Sequence, residues 1–173
     1  MTRLETEQLV LTELDRTHAS GPYLAWMNDP ELMQFLESRF RNHTADDLAA
    51  FIESTNADPN QLLLGMFAKD DDSHVGNIKI GPIDRHHARG DIGLLIGDRS
   101  RWGSGLAREA IDALSRHALE DLGLHKVTAG CYGANIGARK AFLAAGFTEE
   151  GRRPEHFRHR DGWQDHVLLC RFA

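Results

Sequence analysis

The chain has 173 residues, 41% of them hydrophobic, and a formal net charge of −6; at this length one core burying roughly 70% of the unfolded surface is expected, hence a single domain over residues 1–173. The acidic balance argues against general nucleic-acid binding, which needs a basic face to displace phosphate counterions, and favours an amine or cationic partner. No stretch reaches the about 18 apolar residues of a membrane span, and the start "MTRLETEQLVL" lacks a signal peptide's apolar run, so a cytoplasmic protein with no membrane partner is expected.

In chain order, "QLVLTEL" alternates as a strand does, and "HASGPYLAWMNDPELMQFLES" reads as two short helices broken at Asn28, Asp29 and Pro30. "TADDLAAFIESTN" reads as a helix capped by Thr44, with Leu48, Phe51 and Ile52 on its apolar face. From about residue 61 the period changes to that of strands. "QLLLGMFAK", "HVGNIKIGPI" and "GDIGLLIG" form an expected antiparallel meander. Residues 106–122 carry a helical apolar stripe that Gly123 can end. "KVTAGCY" follows as a strand, "NIGARKAFLAAG" as a helix stopped at Gly146, and "EHFRHRDGWQDHVLLCRF" as a hairpin turning at Asp161 and Gly162. This mixed order predicts an α/β sheet with helices on its faces and a right-handed parallel crossover between residues 93 and 127.

Cys131 and Cys170 each sit in a strand-like apolar stretch and are read as buried free thiols. Of the ten histidines, His86 with His87 and His156 with His159 form pairs without a third ligand at motif spacing, so no metal is expected.

The turn "RSRWGSGLA" after "IGLLIG" raises the question of an anion site. A phosphate-binding P-loop fails because no Lys follows Gly105, and a dinucleotide fingerprint fails because Arg108 stands where its third glycine belongs. What survives is general physics: Gly103 and Gly105 let backbone amides approach an anion, and a helix N-terminus follows them. An ordinary tight turn fits the residues equally well.

The strand "DIGLLIG", the turn "SRWGSGLA", the helix, the strand "KVTAGCY" and then "NIGARKAFLAAGF" together resemble the GNAT acetyltransferases. The similarity is strongest to the branch of ribosomal-protein N-terminal acetyltransferases and nucleotide-sugar amine acetyltransferases, and it runs over about residues 6–172. Gly103 and Gly105 match the small positions of the family's Q/R-x-x-G-x-G/A signature, and Asn135, Ala138, Phe142, Gly146 and Phe147 align with its N-x-x-S-x-x-x-Y-x-x-x-G-F segment. Ser100 departs from the Q/R position, Ala138 from the Ser, and Phe142 from the Tyr that many members use to protonate the departing thiolate. The resemblance implies a mixed, mostly antiparallel sheet of about six to seven strands with helices on both faces. It also implies acetyl-CoA as co-substrate and acetyl transfer to a primary amine by direct attack in a ternary complex.

On that reading Arg101, Trp102, Gly103, Ser104, Gly105, Leu106 and Ala107 would hold the pyrophosphate. Leu94, Leu95 and Ile96 would contact the pantetheine amides, with a bulge permitted at Gly93 or Gly97, and Asn135, Arg139 and Phe142 would lie beside the cofactor arm. Asp91, at the strand mouth, is the candidate base, with His156 and Asp161 weaker ones. Tyr132 is a candidate acid, while Cys131 alternates to the opposite face and solvent protonation of the thiolate stays open. Trp26, Asn28, Glu31, Phe35 and Arg39, with His156, would line the acceptor pocket, although the aromatics would serve as core equally well. At pH 7 an α-amine of pKa near 8 is about a tenth neutral and a lysine under about a thousandth, a difference of roughly 3 kcal/mol that favours a peptide N-terminus or a sugar amine. An amino-sugar or antibiotic acceptor, a non-catalytic acyl-CoA sensor and a homodimer remain open alternatives.

Overall fold

The computed structural model describes residues 1–160 and 162–173. Asp161, expected at the hairpin turn and named as a weaker base, lies outside the described residues. The described strands are β1 (Arg3–Glu5), β2 (Leu9–Glu13), β3 (Leu62–Ala68), β4 (His74–Ile80), β5 (Arg89–Ile96), β6 (Lys126–Tyr132), β7 (Thr148–His159) and β8 (Gly162–Phe172). They form one eight-stranded sheet in the order β1-β2-β3-β4-β5-β6-β8-β7. Every neighbour pair is antiparallel except β5 with β6. The sheet exceeds the expected six to seven strands by β1, whose three residues are too few to show a period.

The helices are α1 (Pro22–Met27), α2 (Ala45–Ala57), α3 (Leu106–Arg116) and α4 (Ile136–Ala144). Thr44 caps α2 in a reciprocal box with Asp47, as its sequence predicts. The second N-terminal helix resolves into two 3-10 turns, Met33–Phe35 and Glu37–Phe40, and the stripe ends in a π-type turn at His117–Asp121. No helix of the described residues is long and apolar enough to cross a membrane.

Strand alternation sorts the core into two layers. On one face, Leu64, Ile78, Ile92, Val127, Ala129 and Leu169 pack beneath α3 and α4. On the other, Leu14, Leu63 and the partly buried Leu95 pack against Tyr23 and Trp26 of α1 and Leu48 and Ile52 of α2. This second layer covers only the β2–β5 half of the sheet, so the opposite face of β6 and β8 is left more open.

The feature that positions the site is a fork. β5 pairs with β4 from Ile92 to Ile96 but with β6 only at Arg89, Gly90 and Asp91, the last rung being Asp91 opposite Thr128. Beyond it β5 stays with β4 while β6 stays with β8 up to Tyr132. The two parallel strands therefore part company.

Candidate active site: the fork between β5 and β6

The expected bulge in β5 is corrected by an unbroken β4–β5 register. Gly93 and Gly97 have other roles: a Cβ at Gly93 would meet nothing within 4 Å, making it open floor, whereas one at Gly97 would strike the Trp26 ring at 2.0 Å. The Gly81 amide donates to the Asp91 carbonyl and the Gly97 amide to that of Val75. These bonds turn the backbone of alternate residues toward β4, which leaves the main-chain groups of Leu94 and Ile96 facing the gap. An extended chain carrying amides could add to this edge like a short strand.

At one end of the gap lies the glycine turn. Gly103 (φ +79°) and Gly105 (φ +90°) are left-handed, and neither has an atom within 4 Å of where a Cβ would stand. Gly105 opens α3 with no side-chain cap, so the first helix amides keep their donors for a ligand. The turn is fixed from behind. Trp102 Nε1 donates to the Ile96 carbonyl at 3.0 Å, and Gln8 Nε2 to that of Ser104 at 3.1 Å. Ser100, at the family's Q/R position, donates its hydroxyl and amide to Asp98 at 2.7 and 2.9 Å. Glu109, in the first turn of α3 and buried, accepts from the Thr6 hydroxyl (2.6 Å), the Gln8 amide (3.0 Å) and Gln8 Nε2 (2.7 Å). Arg101, expected to meet an anion, instead donates to Asp70 and Asp71, both at 2.7 Å, and ties the turn to the β3–β4 hairpin.

At the apex, Asp91 accepts from the Thr128 hydroxyl at 2.7 Å. Its carboxylate is reachable by solvent yet flanked by protein, and this partial burial raises it above the usual carboxylate range, against the Thr128 hydrogen bond and the Lys79 charge. Asp91, Thr128 and Gly130 share the face away from α3, and there they line a cavity of about 380 Å³ with Glu150, Arg153 and His166.

The other predicted residues divide sharply. Tyr132 is buried; its hydroxyl donates to Glu37 and accepts from Arg39 Nη1 (2.7 Å), and its ring stacks on Phe157 at 4.1 Å and leans on Phe35 at 5.6 Å. That phenol pins the Glu37–Phe40 turn to the sheet, so the structure gives the proposed acid a structural partnership. Arg39 also donates to the Arg158 carbonyl at 2.9 Å, and Phe35 stacks on His159 at 5.2 Å. Trp26 is core, Asn28 ties the α1 end to His43, and Glu31 is exposed beside Arg99 at 3.5 Å. The partners shown for these three are thus His74, His43 and Arg99. On α4, Asn135 caps the helix through the Ala138 amide (3.2 Å) and Arg139 pairs with Glu149, so both have protein partners. Phe142 is 2% exposed and meets Phe147 edge-on at 5.0 Å. It is core.

Against known proteins, residues 8–148 match the acetyltransferase (GNAT) domain. The chain belongs to the GNAT acetyltransferase family. A relative from Bacillus licheniformis, "Uncharacterized N-acetyltransferase p20", is 26% identical over 153 residues, 87% of this chain and 85% of the relative. "Probable N-acetyltransferase YjcK" of Bacillus subtilis (strain 168) is 29% identical over 107 residues, 61% of this chain and 59% of that protein, so the match spans less than two thirds of YjcK. The spermidine N-acetyltransferase from Vibrio cholerae, solved with CoA and spermine, superposes with a TM-score of 0.84 at 21% identity over 96% of both chains, which shows a common fold.

Acetyl-CoA, the co-substrate of GNAT enzymes, fits what this GNAT chain offers: α3 amides with no side-chain cap among the described residues, behind two bare glycines, and the strand amides of Leu94 and Ile96 beyond the end of the β5–β6 ladder. Sequence reasoning found the turn because glycine spacing is local. It missed Thr128, Gly130 and His166, which only strand pairing brings beside Asp91. The alternation of "KVTAGCY" carries part of that signal, since it places Thr128 and Gly130 on one face.

Proposed function

We propose that this GNAT domain transfers the acetyl group of acetyl-CoA to a primary amine by direct attack within a ternary complex. One observation carries the reading: the β5–β6 ladder ends at Asp91 and Thr128, and the opened edge runs from that carboxylate to the uncapped N-terminus of α3. Bound there, acetyl-CoA supplies the activated acetyl carbon and a thiolate leaving group. The α3 amides and the turn around Gly103 and Gly105 hold the diphosphate, and the main chain of Leu94 and Ile96 aligns the pantetheine arm. Asp91 meets the acceptor as an ammonium and orients its nitrogen toward the fork. Residues 103–107 and Leu94 to Ile96 form the co-substrate side; Phe35, Arg39 and His156 border the acceptor side.

The acceptor we favour is an amine of moderate pKa, such as a protein N-terminal α-amine, because a neutral nucleophile is then easier to obtain by roughly 3 kcal/mol than from lysine. A non-catalytic acyl-CoA-binding role is the second reading, favoured by Phe142, which brings no acid to the fork. Thiol release with acetyl-CoA and a panel of peptides, amino sugars, polyamines and antibiotics separates the two. The proposal expects release coupled one-to-one to N-acetyl product for at least one amine class. Tight acetyl-CoA binding with no turnover across the panel would leave the sensor reading.

A further inference from the structure

We infer that His166 is the base that takes the proton from the acceptor amine, an inference that rests on the acetyltransferase reading above. His166 lies on β8 opposite Tyr132 of β6 and Arg153 of β7. Its ring leans over the neighbouring Gly130: a Cβ there would meet Nε2 at 2.1 Å. The imidazole therefore occupies space that only a glycine leaves free, and it shares the 380 Å³ cavity with Asp91. Along β6, Thr128 beside Asp91 and Gly130 beneath His166 are two residues apart, about 7 Å, enough for one nitrogen between carboxylate and ring.

The ring is held in place, and its faces are engaged. It stacks on His156 at 5.2 Å and packs against Phe157 at 4.8 Å. Nδ1 is buried with no hydrogen-bond partner among the described residues. Nε2, on the cavity side, is therefore the nitrogen open to exchange, and it acts as a base in the tautomer that carries the hydrogen on Nδ1. Burial, with His156 and Arg153 of β7 close by, pushes its pKa below the usual histidine value, and Glu37 of the N-terminal segment opposes this. Asp91 across β6 faces the same cavity, and the Tyr132 phenol is committed to Glu37 and Arg39.

Asp91 is less suited to the proton transfer, because one of its oxygens already accepts from Thr128. It binds the ammonium; His166 removes the proton. The bound ammonium first gives one proton to His166 Nε2, which passes it to water; the neutral nitrogen then forms the C–N bond to the acetyl carbon as the C–S bond breaks with its electron pair leaving on sulfur, and the second nitrogen proton passes to His166 Nε2. The imidazolium releases that proton to water in the open cavity, and the thiolate takes one back from solvent, so no further acid is required.

The test is the pH dependence of kcat/KM for the best acceptor, corrected for the amine's own titration, in wild type, His166→Gln and Gly130→Ala. Wild type should lose activity about tenfold per pH unit below the histidine pKa. His166→Gln should lower kcat/KM by roughly 10²–10⁴-fold and abolish that limb, with acetyl-CoA affinity unchanged. Gly130→Ala should act in the same direction, because the added Cβ displaces Nε2. His166→Gln within threefold of wild type, or a large loss with the limb intact, overturns the assignment while leaving the acetyltransferase reading standing. A wild type that binds acetyl-CoA but acetylates no amine overturns both.

Discussion

Substituting Gly103 by alanine separates the turn's fold from its proposed work. Gly103 has φ +79° and nothing within 4 Å of a prospective Cβ, so the methyl group clashes with no protein atom. The folded state bears only the left-handed backbone cost of an L-residue, about 1–2 kcal/mol. For a chain of this size that is a fall in Tm of about 2–8 °C. A diphosphate seated on the same amides would meet the methyl group directly. Losing two contacts of roughly 0.5–2 kcal/mol each weakens binding by about 1–4 kcal/mol, or roughly five- to thousand-fold. Gly123→Ala is the control: it too is left-handed (φ +68°) with an open Cβ position, but it follows the π-type turn, at the far end of the α3 segment. Calorimetric titration with CoA and thermal melts without it should show both variants less stable and only Gly103→Ala deficient in binding. Equal Tm losses with CoA affinity within twofold of wild type in both would refute the cradle.

Three further outcomes are expected. Burial alone would raise the Glu109 carboxyl, but the hydrogen bonds from Thr6 and Gln8 hold it below the ordinary 4.5. Its stabilisation is therefore complete above that value and lost as pH falls through the lower folded value. Glu109→Ala, which strands those donors, should cost about 1–3 kcal/mol at pH 7 and flatten the acid decline, measured by urea unfolding from pH 7 down to pH 3. Asp91→Asn should lower kcat/KM for the amine roughly 10–150-fold, the value of a hydrogen bond to a charged group, with CoA affinity preserved in the same titration. Phe142→Tyr should not raise kcat; it buries a hydroxyl in the α4 core, and melts should show a loss of about 1–3 kcal/mol.

How far these features were legible depends on the range of the forces that made them. The glycine turn, the Thr44 cap and the α3 stripe are set by neighbours a few residues apart, and the sequence shows them directly. β7 begins at Thr148, earlier than the hairpin read from Glu155, because "TEEGRRP" is a polar edge segment with no apolar alternation to mark it. Arg101 looked like a free cation because its partners Asp70 and Asp71 lie about thirty residues away. The fork has no local signature at all: it arises because β4 keeps β5 to Ile96 while β8 keeps β6 to Tyr132. His166 was hidden among ten histidines until the register set it over Gly130.

Residue-resolved amide hydrogen exchange with and without saturating CoA reads one by one which backbone amides bind the co-substrate. Added CoA should slow exchange at Leu94, Ile96 and residues 103–107, with α2 and the β2–β3 pair unchanged. Unaltered exchange at the fork and at the α3 N-terminus, with CoA demonstrably bound, would contradict this binding mode.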